Sequence, residues 1–195
     1  MAVSDHPNPF DFVAGQLSLD FVNTVANRLD AKRSRDLLAT PANLERWFRE
    51  AGIALRRGAG DTDVRAARRL REHLYALFAA AARGGSFDAT ALNAVDTLWR
   101  RLHVQRKLIL AGGRVTYGWS ARATPFQRAI HPILASAIEL LESDQLGRVR
   151  QCEGEGCGWL FLDRSRGLPR RWCSIRDCGN RAKARRHYLR VAKSG

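Results

Sequence analysis

Several features that define common protein classes are missing from this 195-residue sequence. No run of 18 apolar residues is present, so we expect no membrane-spanning helix and no membrane partner. The N-terminal stretch has neither the basic start nor the apolar segment of a secretory signal. We therefore expect a cytoplasmic protein whose cysteines stay reduced, which favours metal binding over disulfides.

The short motifs that indicate catalysis are also absent. The sequence contains no nucleophile elbow and no phosphate loop of the GxGxxG or GK[ST] type. The five histidines are scattered, and His73 and His103 lie in segments with helical apolar periodicity, where packing is the simpler interpretation. The sequence therefore gives no indication of an enzyme.

Cysteine is scarce, and all four copies lie in the last quarter of the chain. They form two pairs in the pattern Cys152-x4-Cys157-x15-Cys173-x4-Cys178. Two tight turns that each carry a pair can bring four thiolates together, which is the ligand set of a tetrahedral zinc site. Because protein would fill every coordination position, we predict one structural Zn²⁺ per chain without a catalytic role. A disulfide or free thiols are the alternative interpretation.

Acidic residues are too few to balance the basic ones, and the imbalance is uneven. The chain carries a net charge of +14, and residues 148–195 hold 13 Lys or Arg against 4 Asp or Glu. This tail predicts a polyanionic partner. Arginine supplies 29 of the 33 basic residues, so genomic composition can account for part of the excess.

Apolar periodicity predicts a mainly α (α+β) fold in which residues 1–147 form a helical N-terminal domain. Helices are expected from Ser18 to about Leu29, from Pro41 to Gly52, and over 61–83, 86–104 and 124–143. Between the last two, alternating strands flank Gly112-Gly113, which predicts one β-hairpin.

Residues 148–195 are expected to form a second, small domain. Short strands at 148–151 and 159–162 and a basic C-terminal helix would give a treble-clef-like arrangement of knuckle, hairpin and helix. A segment of this size is too small to be stable on its own apolar core, and bound zinc would supply the missing stability. As a separate domain, it would unfold without zinc while the helical domain stayed folded. Its last helix could begin after Ser174, with Asp177 completing a capping box, or after a break capped by Asn180.

Basic residues recur from Arg181 to about Val191. A helix there would present arginine to DNA phosphates or guanine edges, while Ala184, Tyr188 and Val191 would form an apolar seam docked on the zinc site. The predicted nucleic-acid-binding residues are Arg170, Arg171, Asn180, Arg181, Lys183, Arg185, Arg186 and Arg190. A solvated charged face, or arginine that shields the zinc–thiolate centre, is the alternative.

A polar stripe is predicted on the first helix. Asp20, Asn23, Thr24 and Asn27 recur at helical spacing, opposite an apolar side. Convergent polar groups of this kind can orient a small ligand in a pocket. They can equally face solvent or tie the helix to its neighbours through hydrogen bonds.

The cysteine-containing run resembles the CGNR zinc finger, which is named for Cys178-Gly179-Asn180-Arg181. Further matching residues are Trp159-Leu160-Phe161, Asp163, Ser165, Arg170-Arg171-Trp172-Cys173-Ser174, Lys183 and Arg186. The N-terminal part resembles the ABATE domain through Gly15 and the run from Leu19 to Thr24. Together the resemblances imply a bacterial stress-related transcription regulator.

We therefore predict a two-domain, zinc-containing DNA-binding regulator, with a small-molecule effector and a homodimer as further candidate partners. A zinc-dependent RNA-binding module or a protein-interaction adaptor is the alternative, because either would use the same basic surface.

Overall fold

The computed structural model describes residues 10–166 and 170–194. Its α-helices are α1 (Leu17–Val22), α2 (Pro41–Glu50), α3 (Asp61–Arg83), α4 (Ala89–His103), α5 (Pro125–Glu142) and α6 (Asn180–Ser194). Within these residues the strands form three antiparallel pairs: β1 (Val25–Ala26) with β2 (Arg35–Asp36), β3 (Arg106–Ala111) with β4 (Arg114–Trp119), and β5 (Val149–Gln151) with β6 (Leu160–Leu162). The predicted mainly helical fold with a C-terminal zinc finger is confirmed.

The longest helix, α3, spans the residues that its apolar rhythm predicted. Val64, Leu70, Leu74 and Leu77 recur on one face and are buried. The helix ends at Gly84, whose φ of 62° is left-handed and therefore favours glycine. None of the helices in the described part of the chain is long and apolar enough to cross a bilayer.

Local capping fixes the ends of the other helices. α4 begins at Ala89, three residues later than predicted, because the Asp88 carboxylate accepts a hydrogen bond from the Thr90 backbone N–H. α5 begins after a capping box in which Thr124 and Gln127 bond each other's backbone N–H groups. Residues 112 and 113 both have positive φ, as the two-residue hairpin between β3 and β4 requires.

The first helix is much shorter than predicted. α1 ends at Val22, whereas the polar periodicity predicted a helix to Leu29. Beyond it, the Thr24 hydroxyl donates to the Phe21 carbonyl at 2.8 Å, and the chain turns into β1, which pairs with β2. Asn27 has a left-handed φ of 50°. The prediction of a single helical face is therefore wrong for Asp20, Asn23, Thr24 and Asn27.

One apolar core includes residues from both predicted domains. Trp47, Phe48 and Phe78 of the helical part belong to the same buried cluster as Leu160 and Phe161 of β6. β6 packs against α1 and α3, and β5 packs against α3. The zinc-finger hairpin therefore buries its apolar side chains in the core of the helical region.

Candidate metal centre and basic helix

The four cysteines converge at the end of the β5–β6 hairpin. All four side chains are buried, and their sulfur atoms lie within 4.8 Å of one another. Cys173 Sγ lies 3.7 Å from both Cys157 Sγ and Cys178 Sγ. Sulfurs at the corners of a tetrahedron with zinc–sulfur bonds of about 2.3 Å are about 3.8 Å apart, so the spacing fits zinc. These four cysteines hold a structural Zn²⁺.

Backbone amides orient the ligand sulfurs. The N–H groups of Gly154 and Cys173 both donate to Cys152 Sγ at 3.3 Å, as amides do around zinc-bound thiolates. A Cβ at position 154 would lie 2.7 Å from Cys178 Sγ, so this position has no room for a side chain. The first cysteine turn therefore closes directly over the second pair.

The second cysteine pair leads directly into the basic helix. Ser174 Oγ accepts a hydrogen bond from the Asp177 N–H, and a π-helical turn over Ile175–Gly179 follows. Asn180 has helical φ and ψ values and its side chain donates to the Arg176 carbonyl, so it continues the helical turn. Of the two predicted helix starts, the structure has the one capped by Ser174.

Arg181 contacts the metal centre itself. Its Nη2 donates to Cys178 Sγ at 3.0 Å. A hydrogen bond from this cation lowers the pKa of the Cys178 thiol, which favours the thiolate that zinc needs. The guanidinium therefore offsets part of the negative charge of a zinc ion bound by four thiolates.

Asn23 fastens the finger to the helical region. Its Nδ2 donates to the Leu160 carbonyl at 2.8 Å, and its Oδ1 accepts from the Leu160 N–H at 2.8 Å. The side chain is 2% exposed. Asn23 thus pairs with β6 as a neighbouring strand would, and the backbone N–H and C=O of the buried Leu160 are both satisfied.

The turn from Cys152 to Cys157, called the zinc knuckle here, is held by the loop after β1. The N–H groups of Arg28 and Leu29 each donate at 3.0 Å to the carbonyls of Cys157 and Gly156, respectively. Trp159 Nε1 donates to the Val25 carbonyl at 2.8 Å. A metal ligand is therefore hydrogen-bonded through its own carbonyl to the N-terminal part of the chain.

Arg170 joins three segments inside the structure. Its Nη2 donates to the carbonyls of Val13 and Cys173, and its Nε donates to the Trp172 carbonyl at 2.9 Å. The guanidinium carbon lies 4.4 Å from the centre of the Phe161 ring. The contacts of this predicted nucleic-acid residue therefore link the second cysteine pair to the N-terminal segment.

Two other predicted nucleic-acid residues pair with acids of the zinc knuckle. Arg171 Nε donates to Glu153 at 2.7 Å, and Arg185 forms an ion pair with Glu155. The two glutamates lie between Cys152 and Cys157 in sequence. The sequence predictions did not include these ion pairs, although two acidic residues between the first two cysteines of a basic segment were a visible signal.

Most of the described side chains of α6 are exposed. Tyr188 and Val191 are 73% and 60% exposed, and Ala184 is exposed as well. The predicted apolar seam against the zinc site is therefore wrong, because β6 is covered by α1 and α3 instead. Six predicted nucleic-acid residues lie exposed on this helix, namely Asn180, Arg181, Lys183, Arg185, Arg186 and Arg190.

The four predicted ligand-binding residues lie in different surroundings. Besides the Asn23 pairing, the Asp20 carboxylate accepts from the Ala14 N–H at 2.9 Å, and Asn27 Nδ2 donates to the Arg33 carbonyl at 3.3 Å. Thr24 is buried. Burial raises the pKa of Asp20 to about 7, against opposing backbone hydrogen bonds from residues 14 and 13. Small-ligand binding at these residues stays a prediction.

A buried ion-pair network, which the sequence did not indicate, connects α3 to β2 and to the loop after β1 that contacts the first cysteine turn. Arg71 is 4% exposed, and its Nη1 and Nη2 each donate to a carboxylate oxygen of Asp36 at 2.8 Å. Its Nε donates to Glu72, which also binds Arg28. All three guanidinium nitrogens of Arg71 therefore donate to carboxylates, which compensates a positive charge that would otherwise be costly to bury.

Comparison with known protein families agrees with this arrangement. Residues 148–191 match the family described as "CGNR zinc finger". Residues 15–144 match the family ABATE, described as "Putative stress-induced transcription regulator". No curated protein matches the chain. With two thirds of its length inside the first match and its zinc ligands inside the second, the chain belongs to the ABATE family and carries a CGNR zinc finger.

Proposed function

We propose that the chain regulates transcription by binding duplex DNA through α6. The observation that supports this most strongly is the combination of charge and exposure on that helix. It carries six Lys or Arg and no acidic residue, and the described side chains on it are exposed or half-buried. Fifteen residues give a helix of about 22 Å, long enough to follow a major groove.

The zinc centre gives this helix a fixed starting point. Cys178 is a ligand in the turn before α6, and Arg181 in its first turn binds the ligand sulfur. A helix anchored at one end can present its cations to phosphates without ordering itself on binding, which reduces the entropic cost. Zinc therefore contributes to DNA binding by positioning the helix.

A shallow groove between α6 and the zinc knuckle adds to the surface. It encloses about 420 Å³ and includes Arg171, Arg185 and Arg186 as well as Glu153 and Glu155. The glutamates neutralise Arg171 and Arg185, whereas within the described residues Lys183 and Arg186 have no ion-pair partner. Lys183 and Arg186 are therefore the first candidates for phosphate contacts.

The experiment is a salt titration of binding to a mixed-sequence DNA duplex, read by fluorescence anisotropy. Lys183→Glu/Arg186→Glu removes two proposed contacts and leaves Arg181 on its zinc ligand. The matched control, Arg101→Glu/Arg122→Glu, makes the same change in charge at exposed positions on and after α4. We expect the slope of log K against log salt to become shallower by about 1.8 in the first variant, since each contact contributes about 0.9.

The same titration separates the other functions. An unaltered slope in Lys183→Glu/Arg186→Glu, or equal loss in the control, would contradict DNA binding through α6. Preference for single-stranded RNA in competition with the duplex would indicate an RNA-binding module. A flat salt dependence for both nucleic acids would indicate a protein-interaction adaptor. Selection of bound duplexes from a random pool would then identify the operator and its symmetry.

A further inference from the structure

The groove between α6 and the zinc knuckle is lined by two separate parts of the chain. Most of its lining residues belong to the finger, but Arg33 comes from the loop between β1 and β2. A guanidinium nitrogen of Arg33 lies 3.4 Å from the place where a Cβ on Gly156 would stand, so this side chain reaches the knuckle. The groove encloses about 420 Å³, and small-molecule sites enclose about 300–1,000 Å³. A small ligand in the groove can therefore contact the finger and the N-terminal part at once.

Arginine dominates the polar lining of the groove. Five arginines and two glutamates line it, and together these side chains carry a charge of +3: Arg33, Arg171, Arg181, Arg185, Arg186, Glu153 and Glu155. Each glutamate forms an ion pair with one arginine, and Arg33 pairs with Asp30 through Nε. A guanidinium has five N–H donors, so these pairs leave donors for a further acceptor. Within the part of the chain that the structure describes, Arg186 has no ion-pair partner.

The rest of the lining indicates more than a bare anion. Trp172 and Leu189 add apolar surface, and Leu189 is still 49% exposed. The two glutamates repel a DNA backbone, which offers them no donor, but they can accept hydrogen bonds from hydroxyl or amino groups. The groove thus combines cations for an oxyanion, apolar surface for a ring and carboxylates for donor groups. A nucleoside monophosphate carries all three kinds of group.

We propose that this groove binds a nucleoside monophosphate and that the bound nucleotide competes with duplex DNA. Arg33 and Arg186 donate to the phosphate, and the base lies against Trp172 and Leu189. A phosphate monoester has three acceptor oxygens and a charge of about −1.5 to −2, which suits several arginines better than a carboxylate does. The site lies outside the four residues that the sequence predicted for a small ligand.

Competition follows from a shared side chain. Arg186 is one of the two first candidates for DNA phosphate contacts, and it cannot serve both ligands at once. The competition therefore rests on the proposed DNA binding through α6, whereas binding of the nucleotide itself does not. A nucleotide held by Arg33 and the finger together would also stabilise the docked finger, since a ligand that binds only the folded state raises the melting temperature.

The first experiment is isothermal titration calorimetry of the nucleic-acid-free protein at constant ionic strength. The probes are the four ribonucleoside monophosphates, ribose 5-phosphate and inorganic phosphate. We expect at least one nucleotide to bind about tenfold more tightly than ribose 5-phosphate, because contact between a base and an aromatic side chain contributes a factor of this order. Inorganic phosphate should bind more weakly still. No binding by any of the four nucleotides at about 5 mM, or equal affinities for nucleotide and inorganic phosphate, would overturn the site.

Two neighbouring arginines provide a matched pair of variants. Arg33 and Arg35 are both exposed and lie two residues apart, but only Arg33 lines the groove. Arg33→Gln should weaken nucleotide binding about tenfold, because it removes a charge-assisted hydrogen bond to the phosphate. Arg35→Gln should leave the affinity within about twofold, as expected for a surface change away from the ligand. Equal effects of the two substitutions would place the nucleotide elsewhere.

The second experiment adds the tightest-binding nucleotide to the duplex titration, again at constant ionic strength. Saturating nucleotide should weaken duplex binding by the wild type about tenfold or more, and Arg33→Gln should need about ten times more nucleotide for the same effect. A duplex affinity that saturating nucleotide leaves unchanged would overturn the competition. A chain that bound nucleotide but no duplex would contradict DNA binding through α6 and leave the nucleotide site standing, so the two proposals fail separately.

Discussion

Replacing Asn23 with alanine should destabilise the zinc finger and the helical region together. The change removes two hydrogen bonds of 2.8 Å to Leu160 and leaves the N–H and C=O of that buried residue unpaired. Each unsatisfied buried group costs about 1–3 kcal/mol, so we expect the free energy of unfolding to fall by about 3 kcal/mol. For a chain of this length the melting temperature should fall by about 6–12 °C.

The same variant should bind zinc more weakly, although residue 23 is not a ligand. Zinc binds the folded, docked finger, so any loss of docking free energy reduces the apparent metal affinity. A loss of about 3 kcal/mol corresponds to a reduction of roughly a hundredfold. Competition with a colorimetric zinc chelator measures the affinity, and far-UV circular dichroism measures thermal unfolding of the same sample.

Asn93→Ala is the matched control, since Asn93 is exposed on α4 and far in sequence from the finger. It should change the melting temperature by about 2 °C or less and leave zinc affinity unchanged. If Asn23→Ala matched this control in zinc affinity, the finger would fold independently of the helical region. The argument from the shared core would then be refuted.

Three further outcomes follow from the described contacts. Cys173→Ser should reduce the helical far-UV signal as well as zinc content, in one transition, whereas retention of the helical signal would favour two independent domains. The free energy of unfolding of the wild type, taken relative to that of Asp20→Asn at each pH in a series of chemical denaturation curves, should fall by about 2–4 kcal/mol as pH rises from about 4 through 7, because burial raises the pKa of Asp20 to about 7 and thereby favours its neutral form. Deprotonation of the zinc ligands contributes equally to both proteins and cancels from this difference, and a difference that stays constant with pH would contradict the role of Asp20. Glu155→Gln should release Arg185, so that duplex affinity rises at low salt and the salt slope steepens by about 0.9, and an unchanged slope would place Arg185 outside the DNA contact.

Local signals predicted the structure well where they were strong and self-contained. α3 has its predicted ends because an unbroken apolar rhythm meets a left-handed glycine at position 84. The cysteine pattern predicted the metal centre because two short cysteine pairs can supply the four thiolates of a closed tetrahedral zinc site. In both cases the residues that determine the local structure lie close together in the sequence.

Prediction failed where distant residues decide the conformation. The segment after Val22 has helical polar spacing, but Asn23 pairs with Leu160, more than one hundred residues away in sequence. That pairing and the β1–β2 contact outweigh a weak helical preference. The alternative that these polar groups tie the N-terminal helix to its neighbours agrees with the hydrogen bonds of Asn23.

The finger illustrates why a small zinc unit uses more than its metal. Zinc orders the two cysteine turns at one end of the β5–β6 hairpin, but the buried Leu160, Phe161 and Leu162 need a surface to cover them. α1 and α3 supply that surface, which leaves α6 uncovered. If α6 had instead folded back over the hairpin through Tyr188 and Val191, its basic residues would have been partly shielded. Docking of the hairpin on the helical region therefore frees the basic helix for contact with a polyanion.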